Sequence, residues 1–341
     1  MTPPIRTAIV GYGLAGRVFH APLLTTDPAF TLSAIVTSDP ERSATARHAH
    51  PGARIVPDLD AVLAGGDIDL IVVAAPTPLH ADLVQRTIEA GIATVVDKPL
   101  AVRSADAERL IDLARERSVP LTVFQNRRWD GDFLTVRRLV EQERLGEIWR
   151  FESHFEWLSA RKRPAWKVDT PGVEGGGVAY DLGAHLIDQA LQLFGPVRDV
   201  YGELDGRRPG AVNDDDTFIA LSHESGVRSH LGMSSLVAQR AFRFRILGSE
   251  AAFTKWGLDQ QEAQLTSGMA PTDEAYGVAA PETYGRLGSD QESVAVPTEN
   301  GGYRQFYRQV AAALTGSGPL PVDPADALAG IRIIEQLHAR G

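Results

Sequence analysis

The sequence predicts an α/β protein with an N-terminal doubly wound parallel sheet and a C-terminal α/β domain whose open sheet is largely antiparallel. Short apolar runs alternate with helix-like segments up to about residue 125, which is typical of βαβ units. Beyond that point, strand-like runs follow one another with few helices between them. A chain of 341 residues also exceeds one ordinary domain of roughly 100–200 residues. We therefore expect domains at 1–125 and 126–341.

The first domain is predicted from five apolar runs and the segments between them. The strands are expected at Ile5–Val10, Leu32–Val36, Leu70–Ala75, Thr94–Val96 and Leu121–Phe124. The helices are expected at Ala15–Thr25, Pro40–Ala49, Leu59–Ala64, His80–Ala90 and Ser104–Glu116. Strands and helices that alternate in this way form a parallel sheet with helices on both faces.

The second domain is predicted from runs joined by short turns. Strands are expected at Ile148–Trp157, Val197–Glu203, Asp216–Ser222, Val227–Ser235, Phe242–Leu247 and Ala251–Trp256, and helices at Asp132–Glu143, Val178–Leu193, Tyr303–Leu314 and Ala325–Arg340. Residues 257–300 show no clear period and predict a long loop, of the kind that is usually functional or mobile. The run Asn213-Asp214-Asp215-Asp216 is interpreted as a solvated turn.

Composition excludes several classes of function. The chain is 43% hydrophobic and 23% charged, as soluble globular proteins are. Its net charge of −10 opposes binding to nucleic acid or to anionic membranes. Without cysteine, the chain has no disulfide, thiolate metal site or cysteine nucleophile. No apolar run approaches the ~18 residues of a membrane span, and the first residues lack a signal-peptide pattern, so we expect a cytoplasmic protein.

A glycine-rich turn, Gly11-Tyr12-Gly13-Leu14-Ala15-Gly16, follows the first predicted strand and precedes the first predicted helix. In that context G-x-G-x-x-G is typical of dinucleotide binding. The first glycine permits the tight turn, the second lets the backbone approach a pyrophosphate, and the third lets helix and strand pack closely. The helix N-terminus then stabilises the phosphates. The alternative is a glycine-rich turn without a ligand.

The end of the second predicted strand bears on the choice of cofactor. An NAD site typically has Asp or Glu there for the ribose 2′-hydroxyl, whereas this chain has Thr37. Ser38 and Arg42 can bind a 2′-phosphate, which favours NADP. NAD stays open as the alternative, because a shift of one residue would supply the carboxylate of Asp39. Arg42 is alternatively a solvated helix residue.

Lys98 stands in Asp97-Lys98-Pro99, at the end of the run Thr94–Val96. The carboxyl edge of a parallel strand is where open α/β sheets bind ligands. Pro99 allows the Lys98-Pro99 peptide to be cis. An ammonium group at this edge can bind a substrate oxygen or share its proton, and a nearby positive charge can lower its pKa. The alternative is an exposed surface lysine.

Asp181 and His185 lie four residues apart in Asp181-Leu182-Gly183-Ala184-His185, so they share a helix face. An imidazole titrates near neutrality and can accept the proton of an alcohol. A carboxylate one turn away can orient the ring or bind a hydroxyl. The spacing also fits half of a metal site, but no further ligand cluster is evident, so we expect no metal. A structural hydrogen bond is the other interpretation of the pair.

In combination, these motifs resemble the glucose–fructose oxidoreductase/inositol dehydrogenase (Gfo/Idh/MocA) family along essentially the whole chain. The family's loop after the fourth strand is similar to Pro76-Thr77-Pro78-Leu79-His80. Its Glu-Lys-Pro resembles Asp97-Lys98-Pro99, with a shorter acid here, and its Asp-x-Gly-x-His resembles Asp181–His185. The resemblance implies a Rossmann domain, a second domain whose open sheet often mediates dimers or tetramers, and the catalytic set Lys98, Asp181 and His185.

Finer features resemble a subgroup related to scyllo-inositol dehydrogenases that use NADP. They lie in Gly13–Pro22, Asn126–Phe133 and Asp259–Ala263. The cofactor-binding candidates are Gly11, Tyr12, Gly13, Leu14, Ala15, Gly16, Thr37, Ser38, Arg42, Ala75, Pro76, Thr77, His80, Asp97, Lys98 and Trp166. The substrate-binding candidates are Lys98, Arg127, Trp157, Arg163, Asp181 and His185. For Arg127, Trp157, Arg163 and Trp166, an ion pair or core packing is an equal alternative.

The resemblance implies an oxidoreductase that uses NADP, or alternatively NAD, on a secondary alcohol of a polyol, cyclitol or sugar. We expect a homodimer or homotetramer with a small-molecule substrate and no nucleic-acid or membrane partner. One alternative is a non-catalytic NAD(P)-binding regulator of the same fold. Another is an enzyme whose redox step is part of an elimination or hydrolysis through a transient ketone.

Overall fold

The computed structural model describes residues 3–158 and 169–339. Contacts within the chain divide it into two compact units. The first unit consists of Met1–Asn126, Gln261–Tyr276 and Gly302–Leu328, and the second of Arg127–Gln260, Gly277–Gly301 and Ala329–Gly341. The expected boundary between residues 125 and 126 stays a prediction.

The first unit contains, within the described residues, a six-stranded parallel sheet in the order β3-β2-β1-β4-β5-β6. Its strands are β1 (Ile5–Val10), β2 (Phe30–Val36), β3 (Arg54–Val56), β4 (Leu70–Val73), β5 (Ala93–Asp97) and β6 (Leu121–Phe124). This confirms the predicted doubly wound fold. The order reverses between β1 and β4, and ligands of such sheets bind at that point, beyond the carboxyl ends of the strands.

The second unit contains, in the part of the chain that is described, an eight-stranded sheet in the order β14-β13-β12-β11-β7-β10-β9-β8. Its strands are β7 (Ile148–Glu156), β8 (Val197–Asp205), β9 (Asp216–His223), β10 (Arg228–Ser234), β11 (Phe244–Gly248), β12 (Ala252–Lys255), β13 (Gly285–Gly288) and β14 (Ser293–Val296). The pair β7 and β10 is parallel, and the other pairs are antiparallel. Buried residues alternate along β9, so one face of the sheet is covered.

Ten α-helices occur in the described residues. They are α1 (Ala21–Thr25), α2 (Pro40–Ala49), α3 (Leu59–Leu63), α4 (His80–Glu89), α5 (Ser104–Glu116), α6 (Gly131–Glu141), α7 (Ala184–Phe194), α8 (Gln261–Thr266), α9 (Tyr303–Leu314) and α10 (Pro324–His338). π-Helical turns at Ala15–His20 and Ala179–Gly183 lead into α1 and α7. None of these helices is long and apolar enough to cross a membrane.

The prediction of one long loop over residues 257–300 was wrong. This stretch contains α8 and the strands β13 and β14. Each of the two strands has four residues, and β13 begins and ends with glycine. Elements this short span too few residues to show a hydrophobic period.

Candidate active site

The glycine-rich turn has the backbone that its sequence predicts. Gly11 has a φ of +101°, a conformation that side chains disfavour, and its amide donates to the carbonyl of Val36 over 3.0 Å. A β-carbon on Gly11 would lie 2.5 Å from the carbonyl oxygen of Ala74. A β-carbon on Gly16 would overlap the carbonyl oxygen of Gly11. Glycine at these two positions therefore lets the turn pack against its neighbours.

Gly13 differs from the other two glycines because its surroundings are open. A β-carbon there would meet nothing closer than Nη1 of Arg42, at 3.9 Å. The free space lies over the backbone at the start of the π-helical turn, where a pyrophosphate would bind in such folds. Leu14 is exposed, whereas Tyr12 is buried, with its hydroxyl 2.9 Å from Nε2 of His50. Tyr12 thus contributes backbone to the cradle, and its side chain packs in the core.

The end of β2 places Thr37, Ser38 and Arg42 around the start of α2. Thr37 is buried, and its amide donates to Val56 over 3.0 Å. The carboxylate of Asp39 caps α2 by accepting the amide of Arg42 over 2.9 Å. The guanidinium of Arg42 is exposed and makes no ion pair with any described residue. Asp39, the acid that kept NAD open as an alternative cofactor, is therefore engaged as a helix cap. The guanidinium of Arg42, beside Gly13, is available.

His80 ties the loop after β4 to the segment that carries Lys98. Its ring is buried, with Nδ1 2.8 Å from the carbonyl oxygen of Pro99 and Nε2 2.8 Å from that of Ala75. Burial lowers the pKa of His80, while the two carbonyls and the charge of Asp97 oppose that effect. Of the other candidates in this loop, Pro76 is exposed and Thr77 is buried.

Asp97 and Lys98 lie at the carboxyl end of β5, and the Lys98-Pro99 peptide is cis, which the sequence had left open. Oδ1 of Asp97 accepts the amide of Lys98 over 2.8 Å. Its Oδ2 lies 3.9 Å from Nε2 of His20, and 20% of the side-chain surface is exposed. Burial by itself would raise the pKa of Asp97, but His20, Lys98 and His80 together hold it below its ordinary value.

The sequence patterns did not identify His20 and Tyr307 as residues that support the carboxyl end of β5. His20 is fully buried, and its Nδ1 lies 2.6 Å from the hydroxyl of Tyr307. The His20 ring also packs against Phe124, with the ring centres 4.5 Å apart. His20 stood out only as part of the subgroup motif. Tyr307 is separated from it by 287 residues, so no local pattern could have joined them.

Asp181 and His185 lie on the π-helical turn and the first turn of α7. Asp181 is half-buried, whereas His185 is 6% exposed. The start of this helical segment is held by Asp214, whose Oδ2 accepts the amide of Ala179 over 2.8 Å. The same oxygen accepts the hydroxyl of Thr217 over 2.6 Å. The segment that carries both candidate catalytic residues is therefore anchored by a buried carboxylate.

The prediction that residues 213–216 form a solvated turn was wrong. Asp214 and Asp215 are 4% and 3% exposed. The carboxylate of Asp215 accepts the amide of Arg207 over 2.8 Å. A β-carbon on Gly177 would overlap Oδ1 of Asp214, so glycine at this position makes room for the acid. Burial raises the pKa of Asp214, against the opposing effect of its hydrogen bonds.

Arg127 and Trp157 were substrate-binding candidates. Arg127 is buried, with Nη1 3.6 Å from Oδ1 of Asp130 and its guanidinium 5.2 Å from the ring centre of Phe155. Trp157 is half-buried, and its amide donates to Ser234 over 3.0 Å. Their substrate role stays a prediction. The two further candidates, Arg163 and Trp166, lie outside the described residues.

Two sequence models of protein families match the chain. The oxidoreductase family with an NAD-binding Rossmann fold matches residues 5–125, and the GFO/IDH/MocA C-terminal domain matches residues 133–254. The chain belongs to the Gfo/Idh/MocA family of oxidoreductases.

Relatives of this Gfo/Idh/MocA member include enzymes of named activity. The scyllo-inositol 2-dehydrogenase (NADP(+)) IolW of Bacillus subtilis (strain 168) is 34% identical over 97% of this chain and 92% of its own. The D-apiose dehydrogenase of Paraburkholderia graminis is 30% identical over 58% of this chain and 52% of its own. The solved structure of the oxidoreductase yvaA from Bacillus subtilis has a TM-score of 0.92 at 32% identity, and covers 99% of this chain and 96% of that one.

The described candidate residues of this Gfo/Idh/MocA chain are divided between the two units. The first unit offers a backbone cradle suited to phosphate and, at the same sheet edge, Lys98 next to Asp97. The second offers the carboxylate of Asp181 and the imidazole of His185. Among residues 3–158 and 169–339, no group of three or more His, Cys, Asp or Glu side chains could hold a metal ion.

Proposed function

We propose that this oxidoreductase transfers a hydride between a nicotinamide cofactor, NADP in preference to NAD, and the secondary alcohol of a polyol, cyclitol or sugar. In the oxidative direction, the carbinol loses a hydride to NADP⁺ and its hydroxyl proton to the protein, giving a ketone and NADPH. The observation that carries the proposal is the position of Lys98, at the carboxyl end of β5 in the unit that also holds the glycine cradle.

The first unit fits a dinucleotide. The open space at Gly13 leaves the backbone accessible, and the start of the π-helical turn supplies amides for a pyrophosphate. The loop Ala75–Thr77 and the Asp97-Lys98 pair follow β4 and β5 at the same edge of the sheet. When bound, the nicotinamide accepts or donates the hydride.

The preference for NADP rests on Arg42. A 2′-phosphate needs donors and positive charge, and Arg42 has an exposed guanidinium beside the cradle. NAD needs an acceptor for the 2′-hydroxyl, and the nearest acid, Asp39, caps α2. The relative IolW is named as an NADP(+) enzyme.

Three side chains carry the proton and charge chemistry of the proposal. His185 takes the hydroxyl proton as general base. The ammonium group of Lys98 binds the same oxygen and stabilises the negative charge that develops there. Asp181 binds a neighbouring hydroxyl or orients His185.

Polyols and sugars are proposed as substrates because the relatives named above act on an inositol and on D-apiose. We further propose a cytoplasmic homodimer or homotetramer that binds no nucleic acid, membrane or metal. These expectations follow from the charge, the composition and the family resemblance.

The test combines nucleotide binding with turnover. Calorimetry with NADP and NAD should give tighter binding of NADP, and a panel of inositols, pentoses and hexoses should give absorbance at 340 nm with at least one substrate. Lys98→Met should bind NADP within about threefold of wild type but lose at least about 100-fold in turnover, since one group that stabilises transition-state charge contributes on that scale. Arg115→Met, which removes an exposed cation of α5, should change neither property.

Each failure has its own meaning. No uptake of either nucleotide would overturn the proposal altogether. Uptake with no turnover on any substrate would support a binding protein of the same fold. Full activity of Lys98→Met would remove Lys98 from the mechanism.

A further inference from the structure

A chain of buried polar groups lies behind Asp97 in the first unit. The hydroxyl of Tyr307 is 2.6 Å from Nδ1 of His20. Nε2 of His20 is 3.9 Å from Oδ2 of Asp97, and Oδ1 of Asp97 accepts the amide of Lys98 over 2.8 Å. This series of polar groups thus runs from α9 through the π-helical turn to the end of β5. Tyr307 and His20 are both 0% exposed, so bulk water does not compete for the contact between them.

The direction of the hydrogen bond between Tyr307 and His20 fixes where the histidine proton lies. Burial, together with the charge of Asp97, raises the pKa of Tyr307 well above its ordinary value, so the phenol keeps its proton. A protonated phenol can donate to Nδ1 of a neutral imidazole. A neutral imidazole that accepts at Nδ1 carries its proton on Nε2. Nε2 is the nitrogen that faces Asp97.

Nε2 of His20 has no hydrogen-bond partner among the described residues. The 3.9 Å to Asp97 exceeds the length of a direct hydrogen bond. An N–H dipole that faces a carboxylate at this distance still stabilises the anion, because His20 is fully buried and the local dielectric is lower than that of water. On its other side, His20 packs on the ring of Phe124.

The other charged or titratable groups that face Asp97 are Lys98, next in the chain, and His80 of α4. The neighbour of Tyr307 in α9, Arg308, is directed to Asp27, with Nε 3.9 Å from Oδ2. His20 is therefore the group that approaches Asp97 from the π-helical turn, and Tyr307 sets the orientation of its proton.

We propose that Tyr307 and His20 are positioning residues, which keep the Asp97 carboxylate ionised and oriented so that it serves as the counter-ion of Lys98. This inference rests on the proposed function, because Lys98 is assigned there to the reacting oxygen. The expected chemistry is electrostatic: a carboxylate beside Lys98 favours its ammonium form, which can bind an alkoxide.

The direct test follows the ionisation of Asp97 and needs no turnover. Protein with aspartate ¹³C-labelled at Cγ is titrated by NMR, and the Asp97 signal is the one that Asp97→Asn lacks. His20→Leu should raise the Asp97 midpoint by about one pH unit or more, since burial then acts without the opposing dipole. His20→Gln, which places an amide N–H near the position of Nε2, should restore most of the wild-type value. Tyr307→Phe should give an intermediate midpoint, because no hydroxyl at Nδ1 then keeps the proton of His20 on Nε2.

Phe30→Leu is the matched control. Phe30 packs against the ring of Tyr307, with centres 5.6 Å apart, and has no polar group. It should lower the melting temperature but leave the Asp97 midpoint unchanged. An unchanged midpoint in His20→Leu, or one that shifts equally in Phe30→Leu, would overturn the proposal.

Kinetics supply the second measurement. With a substrate from the panel above, His20→Leu should lose about tenfold in kcat while the Kd of NADP changes less than about threefold, and His20→Gln should recover most of the loss. Normal kcat in His20→Leu with a shifted midpoint would overturn the link to Lys98. If wild type turns over no substrate, the proposed function fails. The titration still decides whether Tyr307 and His20 control the ionisation of Asp97.

Discussion

Asp214 accepts the backbone amide of Ala179 over 2.8 Å, at the start of the segment that carries Asp181 and His185. Asparagine can accept the same bond through its side-chain oxygen while removing the buried charge. We therefore expect Asp214→Asn to fold and to retain the helical segment. Asp214→Ala, which loses the acceptor, should lower the free energy of unfolding by about 1–3 kcal/mol.

The pH dependence distinguishes the charge of Asp214 from its hydrogen bond. Its pKa is raised in the folded protein. Protonated Asp214 therefore stabilises the folded protein at pH values below the unfolded-state pKa. This stabilisation is lost as the pH rises through the folded-state pKa. The stability of Asp214→Asn relative to wild type should thus increase from about pH 4 towards neutral pH. Urea unfolding across this range measures it. A flat difference for Asp214→Asn would contradict the prediction.

Gly13 offers a variant that separates nucleotide binding from folding. Gly13→Ala places its β-carbon in open space, so its stability should stay within about 0.5 kcal/mol of wild type. The same methyl group would obstruct a pyrophosphate, and the affinity for NADP should fall at least about tenfold. Gly52→Ala, which also meets nothing within 4 Å, should alter neither quantity. Calorimetry and thermal unfolding check both variants. Normal NADP affinity in Gly13→Ala would show that the glycine-rich turn does not bind the pyrophosphate.

Local patterns predicted much of the fold. The bounds of β1, β6, α2, α5 and α9 agree with the sequence interpretation, because each element shows its own hydrophobic period or clear end signals. The edge strand β3 was missed. It has three residues and none is fully buried, so it leaves no apolar run in the sequence.

The candidate site was predictable where a motif is continuous in sequence. The glycine cradle and the Asp97-Lys98 pair are contiguous, and their surroundings follow from the strand that precedes each. The contacts of His20 with Tyr307 and of Ala179 with Asp214 were not predictable. Each joins residues far apart in sequence, and tertiary packing alone specifies which buried polar groups meet.

Arg42 tests the preference for NADP. Arg42→Ala removes a charge-assisted bond to the 2′-phosphate, worth about 1.5–3 kcal/mol, and should weaken NADP binding about 10–100-fold. Binding of NAD should change less than about twofold, since NAD lacks that phosphate. Arg47→Ala, an exposed cation later in the same helix, is the control for loss of charge. Fluorescence titration with both nucleotides measures the two affinities. Equal losses of affinity for NAD and NADP would contradict the assignment of Arg42 to the 2′-phosphate.

The pair Arg128 and Asp188 should stabilise the helix that bears His185. Asp188 lies on α7, one turn after His185, and receives two hydrogen bonds from the Arg128 guanidinium, of 2.8 and 2.6 Å. Both residues are buried, so Asp188→Ala removes the carboxylate that balances a buried cation and should cost about 3–5 kcal/mol.

Removing both charges, as Arg128→Met with Asp188→Ala, should recover part of that loss, because the buried cation is removed together with the carboxylate. The exposed pair Arg137 and Glu141, at 3.7 Å, is the matched control. Arg137→Ala should cost less than about 1 kcal/mol. Urea unfolding of the three variants and wild type gives the comparison. If Asp188→Ala cost no more than Arg137→Ala, this ion pair would not hold α7 in place.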